Sequence, residues 1–249
     1  LTNIYRDCSA PEIQKKETTQ AGIEYFGNQS PECDGEVIAL AILSLKLAGV
    51  EDIHIDLGNV GFINELLGVL DLDPDQKQRL FRYIENKNIG DIRDFLKKTD
   101  IPEKYKKIIL TLPRLYGEPE KIFGQMRGLA VNPAMSAAVD HLSAVYAHLE
   151  ELGLSQYVQF DLGFTNNMNY YSGTIFKGYI ESFGEPVISG GRYDTMSARF
   201  GIERPACGFG IDLLRLMDYL EKNELIPEQA HAKSVVLYRP EEKPAAFLF

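Results

Sequence analysis

Cysteine is scarce in this 249-residue chain. The three present, Cys8, Cys33 and Cys207, are scattered and odd in number. No two have the spacing of a zinc site, so the expected setting is reduced and cytoplasmic, with no metal. Basic residues are also in short supply: Lys plus Arg number 26 against 36 Asp plus Glu, a formal charge of −10. That is a poor footprint for a nucleic-acid binder, which carries a basic face. No uninterrupted apolar run is long enough to span a bilayer, and the start is not signal-like, so no membrane association is expected. The glycines form neither a dinucleotide fingerprint nor a lysine-serine phosphate loop, and no cofactor is expected. Internal repeats and low-complexity tracts are missing too.

What is present is enough chain for one large domain or two small ones, with a core that needs no staples. Residues 1–6 and 23–26 read as strands. From Asp34 a helical stripe runs through Val37, Ile38, Ala41, Ile42, Leu45 and Ala48 until Gly49 stops it. Ile53, Ile55 and Leu57 alternate with polar residues, the mark of a half-buried strand, and a helix is expected around 62–70. Between about 71 and 116 the chain is charged and helical in period. Its segments 76–85, 91–98 and 103–110 are broken by Pro74, Gly90, Pro102 and Pro113, as in a small helical insertion. A longer helix at 133–152 precedes strands at 158–162, 174–181 and 186–189, then a final helix at 209–220. The expected class is α+β on a mostly antiparallel sheet. Its discontinuous core covers 1–70 and 155–225, and an insertion with its connecting helix covers 71–154. Both ends read as cut, with 232–249, including a strand at 234–238, as the start of a C-terminal segment.

The densest local signal is Gly190-Gly191-Arg192-Tyr193-Asp194, followed by Gly208-Phe209-Gly210 and then Asp212-Leu213-Leu214-Arg215. Paired glycines let backbone approach a ligand where a Cβ would collide. Each segment delivers an arginine, so Arg192 and Arg215, with Arg6 near the start, are candidate anion-binding residues. Gln20, Gly22 and Glu24 share one strand face by period-2 alternation. Glu24 can pair with a ligand ammonium or imidazole, and Gln20 can orient it. Tyr170 and Tyr171 could supply flat walls. Taken singly, these residues would read as a solvated strand face and a core edge. His54, His141, His148 and His231 read as surface or satisfied histidines rather than metal ligands.

In this order the pieces resemble the catalytic domain of the histidyl-tRNA synthetases, which are class II aminoacyl-tRNA synthetases, over about residues 1–220. Tyr5-Arg6 looks like the arginine of the family's motif 2. Gln20-x-Gly22-x-Glu24 is similar to the segment that reads histidine. Asn169-Tyr170-Tyr171-Ser172 and Gly190-Gly191-Arg192-Tyr193-Asp194 resemble the two histidine-specific motifs. Gly208-Phe209 through Arg215 looks like motif 3. The resemblance implies a histidine-binding set of Gln20, Glu24, Tyr170, Tyr171, Gly190, Gly191 and Tyr193.

Three departures bear on activity. The family's catalytic arginine falls on Asn166, an acid of motif 2 on Cys8, and an acid of motif 3 on Leu214. An amide cannot replace a cation that neutralises phosphate in a dry site, and losing such a donor costs on the order of a hundredfold or more in rate. A kept amino-acid pocket with degraded activation chemistry resembles the synthetase paralogues that regulate ATP phosphoribosyltransferase. Those paralogues imply a chain with no catalytic residues, a short-form catalytic subunit as partner, L-histidine as feedback effector and a homodimer within a hetero-oligomer. The rivals are an active, divergent synthetase and a stand-alone amino-acid-binding module.

Overall fold

The computed structural model describes residues 1–5, 17–163, 170–180, 184–226 and 239–242. Arg6, Cys8, Asn166 and the strand expected at 234–238 lie outside them. The chain begins with an antiparallel pair, β1 (Thr2–Tyr5) and β2 (Glu17–Phe26). Helix α1 (Pro31–Leu47) starts where a proline at its first turn follows the Ser30 cap, whose hydroxyl accepts from the Cys33 amide. It gives way at Gly49, which adopts φ +92°, a left-handed conformation that suits glycine. Strand β3 (Ile53–Asn59) runs directly into α2 (Val60–Gly68), capped by the Asn59 side chain.

The charged stretch is helical as its period suggests: α3 (Pro74–Glu85), α4 (Ile89–Lys97) and α5 (Glu103–Thr111). Asp73 and Gln76 close a reciprocal capping box at the start of α3. A two-residue strand β4 (Tyr116–Gly117), helix α6 (Pro119–Leu129) and long helix α7 (Pro133–Glu151) lead to β5 (Val158–Asp161). Then come β6 (Thr174–Ile180), β7 (Ile188–Arg192), β8 (Ala206–Asp212) and α8 (Leu213–Lys222).

Two expectations are corrected. The single helix at 209–220 is half strand: Ala206–Asp212 forms β8 at the centre of the sheet, and the helix begins at Leu213. Cys207, Phe209 and Ile211 alternate with Gly208 and Gly210, and the Asp212 carboxylate accepts from the amides of Leu214 and Arg215 to start the helix there. The short strand at 23–26 is the end of a longer one that starts at Glu17.

The described strands form one eight-stranded sheet in the order β1-β2-β8-β7-β6-β3-β5-β4. The β3–β5 pairing is parallel and the others are antiparallel. Register divides its two faces cleanly. Phe209, Ile211, Ile188, Phe176, Leu57, Ile55 and Phe160 point one way and join a continuous core with α1 and α7. Gln20, Glu24, Ser189, Lys177 and Asp56 point the other way, onto a face floored by Gly208, Gly210 and Gly191. Over part of that polar face Phe81 of α3 and Tyr171 pack against the pair Val60 and Ile175. The insertion therefore roofs one end of this floor.

Candidate functional site

The floor is built by omission. An ideal Cβ on Gly208 would collide with the Glu24 carboxylate, and one on Gly210 would come within 2.6 Å of Gln20 Oε1. These glycines of β8 are where the side chains of β2 lie down across the sheet. Gly191 serves the neighbouring strand in the same way, since its Cβ would stand 2.9 Å from the Tyr171 ring. Gly190 does not belong to this face. Register turns it to the core, where a Cβ would meet Phe176 at 2.5 Å and Phe209 Cβ at 2.7 Å. Its expected place in the ligand-binding set is corrected accordingly: it is a packing glycine.

Over the floor stand three tyrosines. Tyr170 and Tyr171 lie against each other with ring centroids 4.4 Å apart and planes tilted by 36°, and Tyr193 meets Tyr170 edge-on at 5.6 Å. The Tyr193 hydroxyl donates to Glu24 Oε2. Phe26 extends the wall, its ring 6.5 Å from Tyr193. Burial pushes the phenols of Tyr171 and Tyr193 well above the usual range, and nearby Glu24 adds to the effect. Both hydroxyls therefore stay protonated and remain donors. The Glu24 carboxyl is also raised, because desolvation outweighs the hydrogen bond from Tyr193. The result is a cradle of one carboxylate, one carboxamide and flat aromatic walls. Behind it, Tyr171 borders a cavity of about 480 Å³ between α2 and α3.

The arginines are placed differently from expectation. Arg192 is turned to the helix side of the sheet, 3% exposed, and its donors are spent within the protein. Its Nε donates to Asp34 at 3.0 Å, one terminal nitrogen to Asp34 at 2.5 Å, and the other to Asp194 at 2.9 Å and the Asn28 carbonyl at 3.1 Å. Period-2 alternation explains this, since Gly191 and Tyr193 occupy the ligand face and Arg192 the opposite one. Its candidacy as an anion receptor is corrected: it is a structural cation. Arg215 donates to the Pro186 carbonyl at 2.6 Å and pairs with Glu185 and Asp212, so its charge is also matched internally. Arg6 lies outside the described residues.

Asp34 is the residue that sequence reasoning passed over. It is fully buried on α1, and its second oxygen accepts from His141 Nε2 of α7 at 2.8 Å. Burial alone would raise its pKa, but the hydrogen bonds from His141 and Arg192 prevail and hold it below the ordinary carboxylate value. The available signal was its position: one turn before Val37 and Ile38, it lies within the buried stripe of α1.

Comparison with known proteins agrees with this fold. The family model described as histidyl-tRNA synthetase matches residues 2–216. The ATP phosphoribosyltransferase regulatory subunit of Oceanobacillus iheyensis is 38% identical over 95% of this chain, and that of Acetivibrio thermocellus 35% identical over 94%. A solved ATP phosphoribosyltransferase regulatory subunit/histidyl-tRNA synthetase from Bacillus halodurans C superposes with a TM-score of 0.79 at 34% identity, over 88% of this chain and 57% of that one. The chain spans 58% and 56% of the two curated relatives' lengths. A tyrosine-walled cradle on the glycine floor of such a sheet, within a match that runs from β1 into α8, places this chain in the histidyl-tRNA synthetase family.

Proposed function

We propose that the chain is the non-catalytic regulatory subunit of ATP phosphoribosyltransferase, with the Glu24–tyrosine cradle as its histidine sensor. The observation that supports this reading is a contrast: residues resembling the family's recognition set gather on one sheet face, while the sequence departs from the family at three activation positions. Gln20, Glu24, Tyr170, Tyr171 and Tyr193 converge on one face of the sheet. An imidazole N–H can donate to Glu24 while the ring rests against the phenol faces. The sequence, by contrast, has Asn166, Cys8 and Leu214 where the synthetases carry an arginine and two acids. Leu214 stands 39% exposed on the first turn of α8, an apolar side chain in place of an acid. The regulatory-subunit names of the relatives support the same reading.

Regulation would work by linkage: histidine bound in the cradle favours one arrangement of the complex with the short-form catalytic subunit and so tunes its activity. Calorimetric titration with histidine, run beside histidine-dependent ATP–pyrophosphate exchange, tests the reading. The expected result is histidine binding without exchange. Robust exchange would instead establish an active synthetase, the second reading that the family match keeps in play. Absence of both binding and exchange would leave a module for another ligand.

A further inference from the structure

Tyr171, Tyr193 and Glu24 can act as one cradle only if the segments that carry them hold a fixed relation. Tyr170 and Tyr171 precede β6, while Tyr193 follows β7. Beside the β6–β7 ladder, which pairs Ile175 with Gly191, the two segments are joined by a chain of hydrogen bonds that starts outside the site. His141 on α7 reaches Asp34 on α1 at 2.8 Å. With Asp34 ionised and able only to accept, His141 Nε2 is the donor. The other side of Asp34 grips the Arg192 guanidinium. The Arg192 carbonyl accepts from the Ser172 amide at 2.8 Å, and the Ser172 hydroxyl accepts from the Asp194 amide at 2.9 Å. Asp194 closes the circuit by accepting from Arg192 at 2.9 Å. Ser172 directly follows Tyr171, and Arg192 and Asp194 bracket Tyr193.

From this geometry we infer that His141 and Asp34 are positioning residues of the ligand cradle: they touch no ligand, yet they set the spacing of its tyrosine walls through Arg192 and Ser172. The surroundings suit a rigid strut. Asp34 is fully buried and Arg192 nearly so. The helices that carry the strut are tightly apposed, because a Cβ on Gly35 would lie 2.6 Å from His148. At Gly173 a Cβ would stand 3.2 Å from the Arg192 side chain, so the space around the guanidinium is filled on the strand side as well. Side chains that lock a recognition group from behind govern affinity without contacting the ligand.

The inference rests on the histidine-sensor reading for its ligand but not for its geometry, and the test separates the two. His141→Leu removes the donor, whereas His141→Gln keeps an N–H that can reach Asp34. Histidine affinity would be measured by calorimetry, and amide hydrogen exchange at Ser172 and Asp194 by NMR. His141→Leu is expected to weaken histidine binding about tenfold, in keeping with loss of one charge-assisted hydrogen bond. It should also speed exchange at both amides, on segments remote in sequence from α7, while His141→Gln stays close to the parent in both. Should the leucine variant not fold, His141→Asn, whose amide is too short to reach Asp34, takes its place. Unchanged exchange at both amides overturns the inference whatever the affinity does. Equal losses in the leucine and glutamine variants overturn it too, because packing and not the donor would then matter. Unaltered affinity in His141→Leu, in a parent that binds histidine, likewise overturns it. If the parent binds no histidine, the sensor reading falls and the exchange measurements alone decide the positioning role.

Discussion

Glu24 and Asp34 are carboxylates under opposite pressures, and their contrast yields two predictions. Burial raises the Glu24 pKa above its ordinary 4.5, so the folded state binds a proton more tightly there than the unfolded chain does. Stability from this group is then greatest at low pH and declines as pH rises from 4.5 through the raised value. Glu24→Gln, which still accepts from Tyr193, should therefore raise the melting temperature at neutral pH, with the advantage shrinking as pH falls towards 4.5. The same variant should lose histidine binding, since the amide cannot pair with a cationic or N–H-rich ring as a carboxylate does. A melting temperature at neutral pH below the parent's would contradict the sign worked out here. Asp34 runs the other way. Its folded pKa lies below the ordinary 3.8, so its contribution is complete above that value and disappears as pH falls through the folded one. Asp34→Asn leaves the Arg192 guanidinium buried without its main counter-charge, at a cost of about 3–5 kcal/mol at neutral pH in urea denaturation. A loss under 1 kcal/mol would mean that solvent reaches the pair more freely than 0% exposure of Asp34 implies.

Among elements, β7 and β8 carry the most consequence per residue, because the sheet changes character on its two faces there. Gly190 is pinned between Phe176, Phe209 and the Gly208 backbone. Gly190→Ala should destabilise the fold by about 1–3 kcal/mol, the usual range for overpacking, as seen in a shifted denaturant midpoint. These strands also mark how far the sequence could be read. Helices α1, α3, α5 and α7 and strands β3 and β5 followed from apolar spacing, since each buries one stripe or one face. Strand β8 was mistaken for helix because its Cys207-Phe209-Ile211 alternation is interrupted by glycines and runs straight into the apolar period of α8. Glu24 and the tyrosines could be recognised from motif order, but the direction of Arg192 could not. That direction depends on strand parity, which was legible only once Gly191 was known to face Tyr171. Asp34 was hidden for a related reason: among Glu32 and Glu36 at the start of a helix, one more acid looks like a favourable first-turn charge until a cation is seen opposite it. Arg215 shows the same limit, its partner Glu185 coming from the segment before β7.

At the scale of the whole molecule, the proposed sensing role acts through binding energy rather than chemistry. Linkage then makes a demand that no single-site experiment can mimic. If histidine favours one arrangement of the complex with a short-form catalytic subunit, that subunit must alter histidine affinity by the same factor by which histidine alters the subunit's affinity. Coupling of this kind amounts to about 5–150-fold. Histidine titrations with and without the catalytic subunit, together with subunit titrations with and without saturating histidine, measure both sides of the cycle. The two factors should agree within error and differ from one. His141→Leu should shift histidine affinity in the free chain and in the complex by a similar factor if the strut acts on the cradle alone. A coupling factor of one, with histidine bound normally and the two subunits still associating, would show that the cradle is occupied without informing the complex, and the sensing role would have to be placed elsewhere.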